Sequence, residues 1–295
     1  MKKSTLKLFM LVALAFALSG LTSFAEDAPE GKAQSEAKET ILIVAFGTSV
    51  EKAKKSYDQV EEQIKNAFPG YDIRWAWSAH SLLKSGSKPV LSPQEALARL
   101  GTEGIKEVSV LSLHIIPGSE YSNLVRYTQA FEGLPKGIKK IRLAPPLLYD
   151  TASMAKAAKA LLKNLPEKRR PDEAVVFVGH GTHHPAGVYY PALQHYMSSL
   201  DKNVFIGTVE GDLDLKAVTF RLKASGAKKV WLAPLMTVAG DHAMNDLFGL
   251  EEDSWKNQLA ENGFTVESIH KGLGEYPDIV RLWIDGLKNK EGLGH

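Results

Sequence analysis

Ile41-Leu42-Ile43-Val44-Ala45-Phe46, followed at once by Gly47-Thr48-Ser49, is the stretch that decides how this chain folds. Six apolar residues in a row, without polar alternation and stopped by a small-residue turn, describe a strand buried on both faces. That is the condition of a central strand in a parallel sheet. A helical stretch runs on to about Ala67 and is closed by Pro69-Gly70. Strand signals recur at Asp72–Trp77, Glu107–Leu113, Lys140–Leu143, Ala174–Val178, Val204–Thr208, Lys229–Ala233 and Phe264–Ser268. Ser92-Pro93-Gln94-Glu95 has the form of a capping box with proline at the first helical position. Alternation of this kind predicts α/β architecture with helices on both faces of parallel sheets.

The second half resembles the first. Ile41–Thr48 lies over Val175–Thr182, which sets Phe46 on His180 and Gly47-Thr48 on Gly181-Thr182. Asp72–Ala79 lies over Asn203–Glu210, and Gly104–Val108 lies over Gly226–Val230. Continued without a gap, the last match brings Gly118 onto Gly240 and Glu120 onto His242. Two similar doubly wound lobes follow, residues 40–150 and 151–295, the second carrying a terminal helix from about Pro277 to Leu287. Doubly wound sheets bind ligands beyond the carboxyl ends of their strands, so two such lobes imply a cleft between them.

The amino-terminal residues read separately. Lys2, Lys3 and Lys7 precede an apolar run from Leu8 to about Leu18, and Ser23-Phe24-Ala25 supplies small residues at a cleavage position. This is the pattern of a secretory signal, residues 1–25, with Ala28 as a second cleavage choice and 26–39 as a polar leader. The expectation is a periplasmic protein with no membrane span once processed. Loss of the three lysines takes the formal charge from +2 to −1, which removes any case for a nucleic-acid surface. With no cysteine in the chain, a bound metal must rely on histidine and carboxylate.

Val178-Gly179-His180-Gly181-Thr182 places a histidine between two glycines at the end of an apolar strand. The glycines permit sharp turning and close approach of a ligand. His242 follows Ala239-Gly240-Asp241 after another strand, and Glu210 ends the segment Val204–Val209. Such groups suit cobalt, nickel, iron(II) or zinc. His183 and His184 adjoin the glycine loop, His195 reads as structural, and His80 and His114 follow strands of the first lobe. Trp75, Trp77, Tyr121, Tyr189 and Tyr190 are aromatics able to flank a flat ligand. No arginine adjoins His180 to hold a phosphate, which argues against a phosphohydrolase.

Taken together, Ala45–Ser49, His114–Tyr121, Gly179–Thr182 and Gly240–Ala243 resemble the anaerobic cobalt chelatases of cobalamin synthesis (CbiK type) from about Glu39 to Lys288. The resemblance implies insertion of cobalt(II), as substrate, into the tetrapyrrole sirohydrochlorin. It places metal ligands at His180, Glu210 and His242 and catalytic groups at His180 and Glu120. It needs no nucleotide, and it allows a homo-oligomer. Haem is an additional cofactor expectation, with His114 and His80 as its ligands. Export departs from the family pattern. It keeps two other readings open: a periplasmic metal-binding receptor, and an exported tetrapyrrole or haem carrier.

Overall fold

The computed structural model describes residues 39–79, 90–240 and 243–289. The expected export signal, the expected leader up to residue 38, His80 and His242 lie outside the described residues. All eight expected strands form: β1 (Thr40–Ala45), β2 (Asp72–Trp77), β3 (Glu107–Ser112), β4 (Lys140–Leu143), β5 (Ala174–Gly181), β6 (Val204–Glu210), β7 (Lys229–Pro234) and β8 (Thr265–Ser268). The helices between them are α1 (Lys55–Ala67), α2 (Pro93–Thr102), α3 (Ser119–Phe131), α4 (Thr151–Lys163), α5 (Tyr189–Leu200), α6 (Leu215–Ser225), α7 (Trp255–Glu261) and α8 (Pro277–Lys288). The capping box at Ser92 is present: its hydroxyl accepts the Glu95 N–H at 3.3 Å, and the Glu95 carboxylate accepts the Ser92 N–H at 2.8 Å. Among the described residues no helix is long and apolar enough to cross a membrane.

The strands make two parallel four-stranded sheets with the same order, β2-β1-β3-β4 and β6-β5-β7-β8. The registers agree as well. Ile41 lies opposite Ile73 and Ser109, while Val175 lies opposite Val204 and Trp231. Superposing Ile41 on Val175 therefore superposes Ile73 on Val204 and Ser109 on Trp231. Those are the correspondences made by the three separate sequence matches, now recovered from backbone hydrogen bonding alone.

Side chains alternate across each strand, and here the alternation sorts the core into layers. Ile41, Ile43 and Ala45 of β1 and Val175 and Phe177 of β5 enter one shared core with residues of α1, α4, α5 and α8. Leu42 and Val44 pack outward against α2 and α3, and Val176 and Val178 pack outward against α6 and α7. Both central strands are thus buried on both faces, which is why they read as unbroken apolar runs. The terminal helix α8 packs on α1, α4 and β3, so it returns from the end of the second sheet to the first. Trp283 on α8 is 1% exposed within the shared core. Trp283→Ala is expected to cost about 3–5 kcal/mol, read as a lowered midpoint in urea unfolding.

Candidate functional site

His180 is held more tightly than a loop histidine. β5 runs on to Gly181, past the Val178 end expected from its apolar run, and Gly181 pairs with Glu210 at the end of β6. Both flanking glycines are required by close approach. A Cβ at Gly179 would lie 2.4 Å from Cε1 of Tyr190, and one at Gly181 would lie 1.9 Å from the Glu210 carbonyl oxygen. Gly181 also adopts φ +83°, a conformation that costs an L residue roughly 1–2 kcal/mol. His180 Nδ1 lies 3.4 Å from the Gly181 carbonyl oxygen.

A buried tyrosine fixes this turn. The Gly181 N–H donates to the Tyr190 hydroxyl at 3.4 Å. The first half repeats the device: Gly47, at φ +104°, donates its N–H to the Tyr57 hydroxyl at 3.1 Å. Both rings are nearly fully buried, Tyr57 at 6% and Tyr190 at 5% exposure. Burial pushes the Tyr190 phenol up to about 12 and the Tyr57 phenol up as well, so both stay protonated and neutral. Sequence reasoning noted Tyr190 only as an aromatic and missed Tyr57. The detectable signal was a tyrosine following each of the two matched glycines.

The strand ends open on one cavity of about 730 Å³, within the range of pockets that enclose sizeable organic ligands. Its wall is built from matched positions of the two halves: Phe46 with His180, Thr48 with Thr182, Gly118 with Gly240. The halves touch at its rim. Thr237 Oγ1 donates to the Leu113 carbonyl at 2.6 Å, and a Cβ at Gly240 would lie 2.7 Å from Thr48 Oγ1.

Among the expected site residues, His180, Glu120, Glu210 and His114 all line this cavity. Glu120 stands in the first turn of α3, whose N-cap Gly118 also lines the wall. Among the described residues no three His, Cys, Asp or Glu groups gather closely enough to hold a metal ion. His180, Glu210 and Glu120 therefore share the cavity without converging. His114 Nδ1 lies 2.8 Å from Ser112 Oγ, and Nε2 lies 3.5 Å from Ser78 Oγ. Burial lowers the His114 pKa to about 4.

The other candidates separate from the site. His184 caps a short turn, its Nδ1 accepting the Ala186 N–H at 3.1 Å, which commits that lone pair to structure. His183 and His195 are exposed, and the His195 ring packs edge-on against Tyr196. Trp75 and Trp77 stack on each other at 5.0 Å and meet the Tyr57 ring edge-on, forming a support behind the cavity. Tyr121 is buried, its hydroxyl directed to the Ala144 carbonyl at 3.4 Å. The exposed aromatic on the cavity wall is Phe46, which the sequence reading treated only as the counterpart of His180.

Comparison with known proteins gives concordant results. Residues 39–291 match the cobalt chelatase (CbiK) family. The chain is 38% identical over 253 residues to the sirohydrochlorin cobaltochelatase CbiKC of Nitratidesulfovibrio vulgaris, covering 85% of this chain and 89% of that protein. It is 32% identical over 255 residues to the sirohydrochlorin cobaltochelatase of Salmonella typhimurium, covering 85% and 95%. Among solved structures, the sirohydrochlorin chelatase SirB of Bacillus subtilis subspecies spizizenii, in complex with cobalt, aligns with a TM-score of 0.55 at 14% identity, covering 85% of this chain and 94% of that one. CbiX, described as the terminal enzyme of sirohaem biosynthesis in denitrifying bacteria, aligns at 0.51 and 15% identity, covering 85% and 98%. At these identities the two structures bear on the fold alone.

Two measurements check the geometry. Tyr190→Phe leaves the Gly181 N–H without its acceptor and is expected to cost about 1 kcal/mol in urea unfolding; Tyr57→Phe should match it in direction. The second concerns pH. The folded His114 pKa of about 4 lies below the ordinary value near 6.5, so between the two the unfolded chain binds more protons. The His114 contribution is therefore fully present above about pH 6.5 and is lost progressively as pH falls toward 4. His114→Gln should flatten that part of the stability–pH curve.

Proposed function

The chain belongs to the cobalt chelatase (CbiK) family, and from that membership we propose that it inserts cobalt(II) into sirohydrochlorin, with His180 accepting a pyrrole proton. Both of the curated relatives described above are sirohydrochlorin cobaltochelatases, which favours this reading over a metal-binding receptor or a tetrapyrrole carrier. The observation that carries it to particular residues is the shared cavity, with His180 at a strand end beside Glu210 and the first lobe's Phe46 and Glu120 in the same lining.

The reaction exchanges one divalent metal for two pyrrole N–H protons. His180 suits the acceptor role because an imidazole nitrogen can take a proton and the residue lines the cavity. It is also set rigidly, since Tyr190 and the β6 backbone leave Gly179 and Gly181 no alternative residues. Cobalt(II) arrives as substrate on His180, with Glu210 as the neighbouring carboxylate and His242 joining on the sequence correspondence with Glu120. Glu120 supplies the first lobe's carboxylate, placed to receive the second proton. The step needs no electron transfer, because the metal keeps its oxidation state.

Export is part of the same proposal: cleavage after Ala25 would deliver residues 26–295 to the periplasm. Fractionation and amino-terminal sequencing of the purified chain test it, and recovery of uncleaved protein in the cytosol would refute it. For the chemistry, His180→Ala and His242→Ala should each slow cobalt insertion into sirohydrochlorin by at least about tenfold, a floor set below the roughly 10²–10⁴-fold that a general acid–base group typically contributes. Near-wild-type rates in both variants would sink the assignment.

A further inference from the structure

The internal repeat gives one cavity wall a histidine and the other a phenyl ring at the same structural position. Phe46 and His180 each follow the central strand's apolar run, each precedes a positive-φ glycine held by a buried tyrosine hydroxyl, and each lines the cavity. Their surroundings differ. Phe46 is 47% exposed although the two residues before it, Val44 and Ala45, are almost completely buried. An apolar ring that remains so open at the end of a buried strand, inside a cavity and not on the outer surface, has its covering partner still to come. The position equivalent to Glu210 is Ala79, which also lines the cavity, so at both of these places the first lobe's wall has exchanged a potential metal ligand for an apolar group.

Resting on the chelatase reading above, we propose that Phe46 is the platform for the flat face of the tetrapyrrole, and that the two lobes divide the substrates: the first receives the macrocycle, the second the metal. A phenyl ring offers no lone pair to a cation of this kind and no donor to a carboxylate. What it does offer is a broad apolar face to a conjugated ring, in an offset-stacked or edge-on arrangement. Ile115 and Ile116 line the same side of the cavity and extend the apolar wall. With the macrocycle seated there, its opposite face turns toward His180, so metal enters from that single side. Phe46 is in this sense a specificity-determining residue for the macrocycle and takes no part in holding the metal.

The test separates the two substrates. Metal-free sirohydrochlorin is titrated into the purified mature chain by absorbance, and cobalt(II) alone is titrated by calorimetry. Wild type, Phe46→Ala, Phe46→Tyr and the remote exposed variant Phe220→Ala are compared. Phe46→Ala should bind the macrocycle about tenfold more weakly, as expected for loss of one stacking aromatic. It should bind cobalt as the wild type does, and its insertion KM for the macrocycle should rise with little change in kcat. Phe46→Tyr should retain macrocycle binding, and Phe220→Ala should match the wild type. Because Phe46 is half exposed, thermal unfolding of Phe46→Ala should stay close to wild type. Macrocycle affinity within twofold of wild type in Phe46→Ala overturns the proposal and leaves the chelatase reading standing. A parallel loss of cobalt binding overturns the division between lobes. A wild-type chain that binds cobalt but ignores the macrocycle overturns the chelatase reading itself.

Discussion

Gly47 and Gly181 turn the chain at the ends of the two central strands, and each does so with its N–H committed to a buried tyrosine hydroxyl. A buried amide left without an acceptor costs on the order of 1–3 kcal/mol, so the conformation is stable only because the tyrosine is there. The tyrosine in turn is possible beside β5 only because residue 179 has no side chain: the ring occupies the place of its Cβ. In the second half strand, glycine and ring form one interlocked unit; the first half repeats the turn glycine and its tyrosine hydroxyl but carries Ala45 where the second has Gly179. The two turns set the matched centre of the cavity wall, because the residues they present are Phe46 and His180.

This arrangement explains what could be seen in the sequence and what could not. Strands such as Ile41–Ala45 and Val175–Val178 were legible because double burial demands an uninterrupted apolar run, a one-dimensional pattern. The duplication was legible for the same reason, and sheet order and register bear it out residue by residue. The extension of β5 through His180 was not legible: glycine–histidine–glycine carries no strand propensity, and pairing with β6 supplies the order instead. Tyr57 was legible only through the repeat, as a tyrosine following Gly47 as Tyr190 follows Gly181, since its role depends on an amide ten residues away. The return of α8 to the first sheet was hidden for a similar reason, because an amphipathic helix shows which face it buries and not against what.

Duplication followed by divergence gives the cavity its chemical polarity. Two identical lobes would offer two equal half-sites to a planar guest. Here His180 and Glu210 stand where the first lobe has Phe46 and Ala79, so at these positions one wall carries lone pairs and the other apolar groups. Glu120 and His114 are exceptions on the first wall, and the Glu120 carboxylate enters from a helix start, not from a strand end. A guest clamped between such walls is held by apolar contact on one face while its other face meets lone pairs.

The charge balance of metal insertion fits a cavity of this kind. One dication replaces two protons, so the core of the macrocycle is neutral before and after, and the largely apolar wall is not asked to solvate a new charge. The demand falls on proton acceptors. His114 is poorly suited to that task despite lining the same cavity, because burial holds its pKa near 4; at pH 7 only about one such ring in a thousand carries a proton. Its nitrogens are turned to Ser112 and Ser78, which makes it a structural link between β3 and the segment after β2. His180 is instead half-buried at the open end of β5 and lines the cavity, where a bound guest can meet its ring.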